Sequence, residues 1–202
     1  MDVKTYLDVF CSVLESVDVT EVERLADAVF DAYRSRHCVY VIGNGGSAAN
    51  ASHLCEDLGK GTLTDFDNQT RLRILSLTDN VPYLLAWGND AGFERVFVEQ
   101  LKNLAAPGDL LVAISGSGNS PNILRAVEYA NGVGMKTFGV TGYDGGELYE
   151  LAQDCLWVRC DNMGMVEAVH DVVFHYLTER LKERFRDSSG GESSFAEVRA
   201  EE

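Results

Sequence analysis

With 202 residues the chain has room for one well-buried domain and is short for two, and 46% apolar against 24% charged residues is the balance of an ordinary globular protein. Seventeen Lys and Arg against 32 Asp and Glu leave a formal charge of −15, which argues against nucleic acid or an anionic membrane as partner, since both recruit clustered basic residues. An anionic ligand must therefore be gripped by local dipoles, not by the overall field.

In chain order, Val3 to Val17 and Thr20 to Ser35 carry the apolar spacing of amphipathic helices, and Thr20 followed by Glu23 has the form of a capping box. The first of these is acidic and lacks the basic start and unbroken apolar core of a signal peptide, and no later stretch is long and apolar enough to span a bilayer. Short apolar runs then recur: "CVYVIG" (Cys38 to Gly43), "LRILSL" (Leu72 to Leu77), "LLVAIS" (Leu110 to Ser115), "KTFGVT" (Lys136 to Thr141) and "CLWVRC" (Cys155 to Cys160). Helix-patterned sequence separates them, an alternation that predicts an α/β domain with a doubly wound parallel sheet. A long helix is expected from about Gly164 to Arg186. Residues 1–186 are read as one domain and 187–202, polar and acidic, as a disordered tail. Cys11, Cys38, Cys55, Cys155 and Cys160 are odd in number and form no CxxC pair, which fits free thiols in a reducing cytoplasm.

Two of the strands run into glycine-rich turns. In "VYVIGNGGSAANASH" (Val39 to His53) the turn opens a helix and presents backbone N–H groups to an anion. Gly43, Gly45 and Ala48 satisfy the dinucleotide pattern G-x-G-x-x-G/A, whereas Ser47 at the helix mouth suits a single phosphate ester. The dinucleotide reading also needs an acidic residue at the end of the second strand. Asp65 and Asp67 precede that strand and Asp79 lies too far along, so this reading is weakened and NAD is not expected to bind. In "ISGSGNSPNIL" (Ile114 to Leu124), Ser115, Ser117, Ser120 and Asn119 converge on a second helix start, with Ser120 as cap and Pro121 in the first turn. Such hydroxyls and amides cradle a phosphate monoester without Arg or Lys. A merely well-capped turn has the same composition.

Histidines and carboxylates share two helix faces. His53 and Asp57 stand four apart behind the first loop, and Glu167, Asp171 and His175 recur at four-residue intervals on the last helix. Such pairs bind a divalent ion or move protons between adjacent carbons, although any single pair is also an ordinary solvated face. Glu56 competes with Asp57 for the same role. His170 points away from His175 and reads as structural, and His37 has no evident partner.

"GNGGSAANASH", "ISGSGNSPNIL", "WGNDAGF" (Trp87 to Phe93) and "VTGYDGGEL" (Val140 to Leu148), in this order, resemble the phosphoheptose isomerase family of the sugar isomerase (SIS) domain superfamily. The resemblance implies a five-stranded flavodoxin-like sheet and a cytoplasmic homotetramer with active sites shared between subunits. It also implies a sugar-phosphate substrate, with sedoheptulose 7-phosphate converted to D-glycero-D-manno-heptose 7-phosphate through an enediol. Carried onto this sequence, it implies substrate contacts at Asn44, Gly45, Ser47, Asn89, Asp90, Ser115, Gly116, Ser117, Ser120 and Glu167. Asp57 and His175 become the acid and base, and His53, Asp57, Glu167 and His175 the ligands of a divalent metal, zinc. The chain departs from the family pattern at Asp57 (usually Glu), Glu167 (Gln), Gly116 (Thr) and Gly164 (Asp). Losing a methylene at Asp57 moves a base by about 1 Å, a displacement able to cost ~100-fold in rate. An extra carboxylate at Glu167 would strengthen cation binding. "SAANASH" and "TGYDGGEL" are also similar to a non-catalytic tetrameric scaffold that binds the replication initiator, a relative without the histidine matching His175. A regulatory sugar-phosphate sensor would keep the serine loops without the His/Asp/Glu cluster.

Overall fold

A computed structural model describes residues 1–189. Five parallel strands, β1 (Cys38–Ile42), β2 (Arg73–Ser76), β3 (Leu110–Ser115), β4 (Lys136–Thr141) and β5 (Asp154–Trp157), form one sheet in the order β2-β1-β3-β4-β5. This is the doubly wound order in which the chain reverses direction across the sheet between β1 and β3, so the loops after these two strands diverge and leave a crevice. Both crevice loops are the glycine and serine turns singled out above.

Helices cover both faces because the central strands are apolar on both. Val39, Val41, Val112 and Ile114 pack against α2 (Val19–Arg34), α3 (Gly46–Glu56) and α8 (Met163–Ser189). Tyr40, Ile42, Leu111 and Ala113 face the other way, toward α5 (Val98–Leu104), α6 (Pro121–Gly132) and α7 (Gly146–Leu151). β3 is buried along its whole length and β4 from its second residue, so the strand boundaries fall where the apolar runs end. α1 (Val3–Glu15) and α4 (Val81–Ala91) contain no buried residue.

Three local expectations are corrected. The cap of α2 is Asp18, whose carboxylate accepts from the Thr20 N–H at 2.8 Å; Glu23 is drawn away to the Tyr176 hydroxyl at 2.6 Å, so no Thr20/Glu23 capping box forms. β5 ends at Trp157, opposite Thr141 at the end of β4; the Val158 N–H makes one more bond to the Thr141 carbonyl at 3.0 Å, and the chain then turns, Cys160 N–H donating to the Val158 carbonyl at 2.8 Å. The last helix runs on through Asp187 to Ser189, so the expected tail loses its first three residues to α8 and its remainder lies outside the described residues.

His170 is structural, as its position on α8 suggested. It has 0% exposure, its Nε2–H donates to the Thr141 carbonyl at 3.0 Å, and Nδ1 has no partner. Burial holds its pKa down to about 4, against 6.5 for a free imidazole. The folded state therefore binds fewer protons than the unfolded state between these values, so the stability of the neutral form is present above pH 6.5 and is lost as pH falls toward 4. We expect this to remove roughly 3 kcal/mol between pH 7 and 4. Urea unfolding of the wild type and of His170→Gln at both pH values checks it, since glutamine keeps the donor but cannot titrate; an equal acid loss in both proteins would refute it.

Candidate active site

The first turn leaves β1 at Ile42 and enters α3 at Gly46 so tightly that a Cβ on Gly43 would lie 2.4 Å from the Ser47 carbonyl oxygen. Gly45 adopts a φ of 57°. Ser47 is thereby buried in the first turn of α3. The second turn leaves β3 at Ser115, and Gly118, at φ 66°, rests its α-carbon on the backbone of the 142–146 turn. Ser120 occupies the N-cap position of α6 but makes no side-chain cap bond; its hydroxyl accepts from Ser115 Oγ at 3.3 Å instead. The two turns are tied by a reciprocal amide pair, Asn44 to Asn122, with both bonds at 2.9 Å. Sequence reasoning missed Asn122, because its only local signal is one more amide after Pro121.

Between the turns lies a cavity of about 150 Å³ lined by Asn44, Ser47, Ser115, Ser117, Ser120 and Glu167. It is a space for one phosphate group; a dinucleotide needs a cleft of several hundred Å³. Gly116 also lines it, and a Cβ there would meet the Met163 sulfur at 2.4 Å, so Met163 fills the space a side chain at 116 would take. Glu167 lies over Gly46, where a Cβ would stand 2.3 Å from Glu167 Oε2. The carboxylate is thus placed at the N-terminus of α3, against the positive end of the helix dipole.

Further along α3 and α8, four side chains close a ring. Asp57 Oδ2 is 3.6 Å from His53 Nε2 and 3.2 Å from His175 Nδ1. Asp171 lies 3.3 Å from His53 Nδ1 and 3.6 Å from His175 Nε2. The two imidazoles meet edge to face with centroids 5.0 Å apart. α3 places His53, and at its end the backbone widens into a π turn, Asp57–Gly61, which sets Asp57 toward α8. Single π turns of this kind recur at functional sites. α8 supplies Asp171 and His175 one turn apart on the face that packs against α3. Two imidazoles and two carboxylates are the donor chemistry of a borderline divalent ion, and ligand atoms of His53, Asp171 and His175 lie within 4.8 Å of one another.

Among the described residues, therefore, His53, Asp57 and His175 converge as expected, and Asp171 takes the place in the ring that the metal set gave to Glu167. Glu167 belongs with the serines, one turn earlier on α8. Glu56 lies close to His53 and Asp57, but Lys60 holds its carboxylate at 3.3 Å. Asn89 and Asp90 bond to each other at 2.7 Å near the end of α4 and do not line the serine cavity. By the helical rise of about 1.5 Å per residue, six residues of α3 and eight of α8 set the ring roughly 9–12 Å from the cradle. That gap suits an extended carbon chain with phosphate at one end and reacting carbons at the other.

The SIS domain family model matches residues 5–142. A phosphoheptose isomerase of Akkermansia muciniphila is 38% identical over 172 residues, 85% of this chain and 87% of the relative. One from Geotalea uraniireducens is 36% identical over 187 residues, covering 91% and 97%. Among solved structures, a phosphoheptose isomerase of Neisseria gonorrhoeae superposes with a TM-score of 0.82 at 27% identity, covering 90% of this chain and 97% of that one. One from Francisella tularensis gives 0.83 at 27%, covering 90% and 96%. With a family-model match over residues 5–142 and phosphoheptose isomerases as relatives along most of its length, the chain belongs to the phosphoheptose isomerase family of SIS-domain proteins.

Proposed function

We propose that the protein is an aldose–ketose isomerase that converts sedoheptulose 7-phosphate to D-glycero-D-manno-heptose 7-phosphate. The observation that carries this reading is the pairing of the serine cradle, at the start of α3, with the His53–Asp57–His175–Asp171 ring further along α3 and α8. The phosphate at C7 docks among Ser47, Ser115, Ser117, Ser120 and the α3 N-terminus, far from the reacting carbons, and its binding energy positions them. At the ring, one of Asp57 and His175 removes a proton from C1 of the ketose while the other donates a proton to the C2 carbonyl oxygen, giving the enediol, and the two exchange roles in the second half. Return of a proton to C2 and loss of the O1 proton give the aldehyde, so the reaction is redox-neutral overall. The 3.2 Å contact between the two side chains lets the proton held by one be replaced through the other. Glu167, within the cradle, is placed to accept hydrogen bonds from sugar hydroxyls near the phosphate.

His53, Asp57, Asp171 and His175 are the residues that would hold zinc or a similar divalent ion. When bound, such an ion would supply positive charge to stabilise the enediolate oxygens. A homotetramer is also part of this proposal. It is supported by the exposed apolar residues of α1 and α4, among them Val3, Leu7, Val81 and Leu85, for which the single chain has no cover. Light scattering is expected to give four chains per particle; a monomer would refute the assembly. No helix among the described residues is long and apolar enough to cross a membrane.

A non-catalytic scaffold has no use for the ring, and a sensor would need only the cradle. Running the reaction in D₂O separates these from an isomerase: solvent deuterium is expected at C2 of the aldose product, and unlabelled sugar would count against enediol chemistry. Ser117→Ala and Ser120→Ala should each weaken sugar-phosphate binding by roughly 1–3 kcal/mol with the fold intact, since each deletes one donor of the cradle. Unchanged affinity in calorimetry would refute the phosphate assignment.

A further inference from the structure

At the opposite edge of the sheet, where β1 and β2 begin, a wide cavity of about 1020 Å³ opens between the end of α2, the segment before β2 and the end of α8. Four arginines line it, Arg34, Arg36, Arg71 and Arg184, out of 17 basic residues in a chain of net charge −15. Gathering that many guanidinium groups in one concavity is unfavourable unless something anionic shares it. The acidic neighbours do not suffice. Asp27 pairs with Arg184 at 2.8 Å, and Asp187, on the rim, pairs with Arg186 at 3.1 Å. Among the described residues, Arg34, Arg36 and Arg71 have no carboxylate within ion-pair distance; Arg36 Nη1 and Arg71 Nη2 donate only to backbone carbonyls, those of Arg71 and Phe66.

Two features show that the cluster is held in place. The Arg184 guanidinium lies over the Phe30 ring, 4.1 Å from its centroid, and Phe30 in turn stacks on Tyr33. Arg36 sits at φ 60°, in the position after a helix end that closes with His37 N–H on the Ala32 carbonyl at 2.9 Å and Arg36 N–H on that of Tyr33 at 3.2 Å. Glycine is the usual residue for that turn, and an arginine there is strained. The Arg36 side chain reaches across to the Arg71 carbonyl, to which Nη1 donates at 3.5 Å.

We infer that this cavity is a binding site for a small polyanion carrying two or more phosphate groups, separate from the sugar-phosphate cradle. Three guanidinium groups without carboxylate partners exceed what one monoester can neutralise, and planar forked donors suit phosphate oxygens in bidentate contact. The volume admits a nucleoside triphosphate as readily as an inorganic chain, so the shared chemistry is the linked phosphate groups.

The test is calorimetry of the full chain with pyrophosphate, tripolyphosphate and ATP, each free of magnesium and at fixed low salt, comparing wild type, Arg34→Gln/Arg71→Gln and Ser117→Ala/Ser120→Ala. At least one probe is expected to bind the wild type and the serine variant alike and to lose 10-fold or more in affinity in the arginine variant. ATP binding without tripolyphosphate binding would identify a nucleotide, and the reverse an inorganic chain. The arginine variant should keep wild-type melting behaviour and isomerase turnover, because neither residue touches the cradle or the ring. Absence of binding by all three probes, equal binding by the arginine variant, or loss of binding in the serine variant alone would overturn the inference.

Discussion

His175→Ala is expected to lower isomerase turnover by about 10²–10⁴-fold, the range that a positioned acid–base group contributes. The same variant should bind sugar phosphate nearly as well as the wild type. In the proposed binding mode the cradle residues Ser47, Ser115, Ser117 and Ser120 hold the other end of the substrate; the imidazole's neighbours are instead Asp57 at 3.2 Å and Asp171 at 3.6 Å. Loss of kcat with retained binding is the sign of a group that acts on the reacting carbons rather than on ground-state affinity. Asp57→Asn should behave likewise. Both variants should also hold less zinc, because each removes a donor from the ring, and equilibrium dialysis reads this directly. A His175→Ala enzyme with wild-type kcat, or one that had lost sugar-phosphate binding with kcat intact, would remove the histidine from the chemistry.

Gly118→Ala is expected to have the largest effect on the fold itself. The residue is at φ 66°, and a Cβ there would stand 2.0 Å from the Gly145 carbonyl oxygen, a backbone atom that cannot step aside. Strain at such a dihedral costs on the order of 1–3 kcal/mol and overpacking a similar amount, together a large part of a typical stability of about 5–15 kcal/mol. The 142–146 turn braces the serine loop, so sugar-phosphate affinity should fall along with the melting temperature, by ten degrees or so if the loss is about 3–4 kcal/mol. Gly132→Ala is the control: a Cβ there meets nothing within 4 Å at the end of α6, and it should leave both unchanged or raise stability slightly. Equal melting curves for the two variants would show that the loop does not rest on the 142–146 turn.

The parts of the fold legible in the sequence were those set by local pattern. β3 and β4 fall on Leu110–Ser115 and Lys136–Thr141 as read, because a strand buried on both faces is a bounded apolar run. "CLWVRC" misled because the end of β5 is decided by its partner, β4, which stops at Thr141, so the apolar run outlasts the ladder and turns at Val158 to Cys160. Asp18 and Thr20 are both good caps, and only the structure shows which carries the bond. At the site, helical spacing was enough to pair His53 with Asp57 and to align Glu167, Asp171 and His175. It could not say which of the last three meets His53, since that depends on how far α8 is advanced along α3. The observed packing puts Asp171 opposite His53 and leaves Glu167 over Gly46. Asn44 with Asn122 was illegible for the same reason: a tie between two crevice loops exists only once β1 and β3 are neighbours.

The most direct test of the central claim is turnover of sedoheptulose 7-phosphate by the purified protein, followed by ¹³C NMR with and without added zinc, beside a panel of ketose phosphates of other lengths. The account predicts appearance of the aldoheptose 7-phosphate, faster with the seven-carbon substrate than with shorter ones, and its loss in His175→Ala. A wild-type protein inert toward every sugar phosphate in the panel, in both conditions, would contradict it.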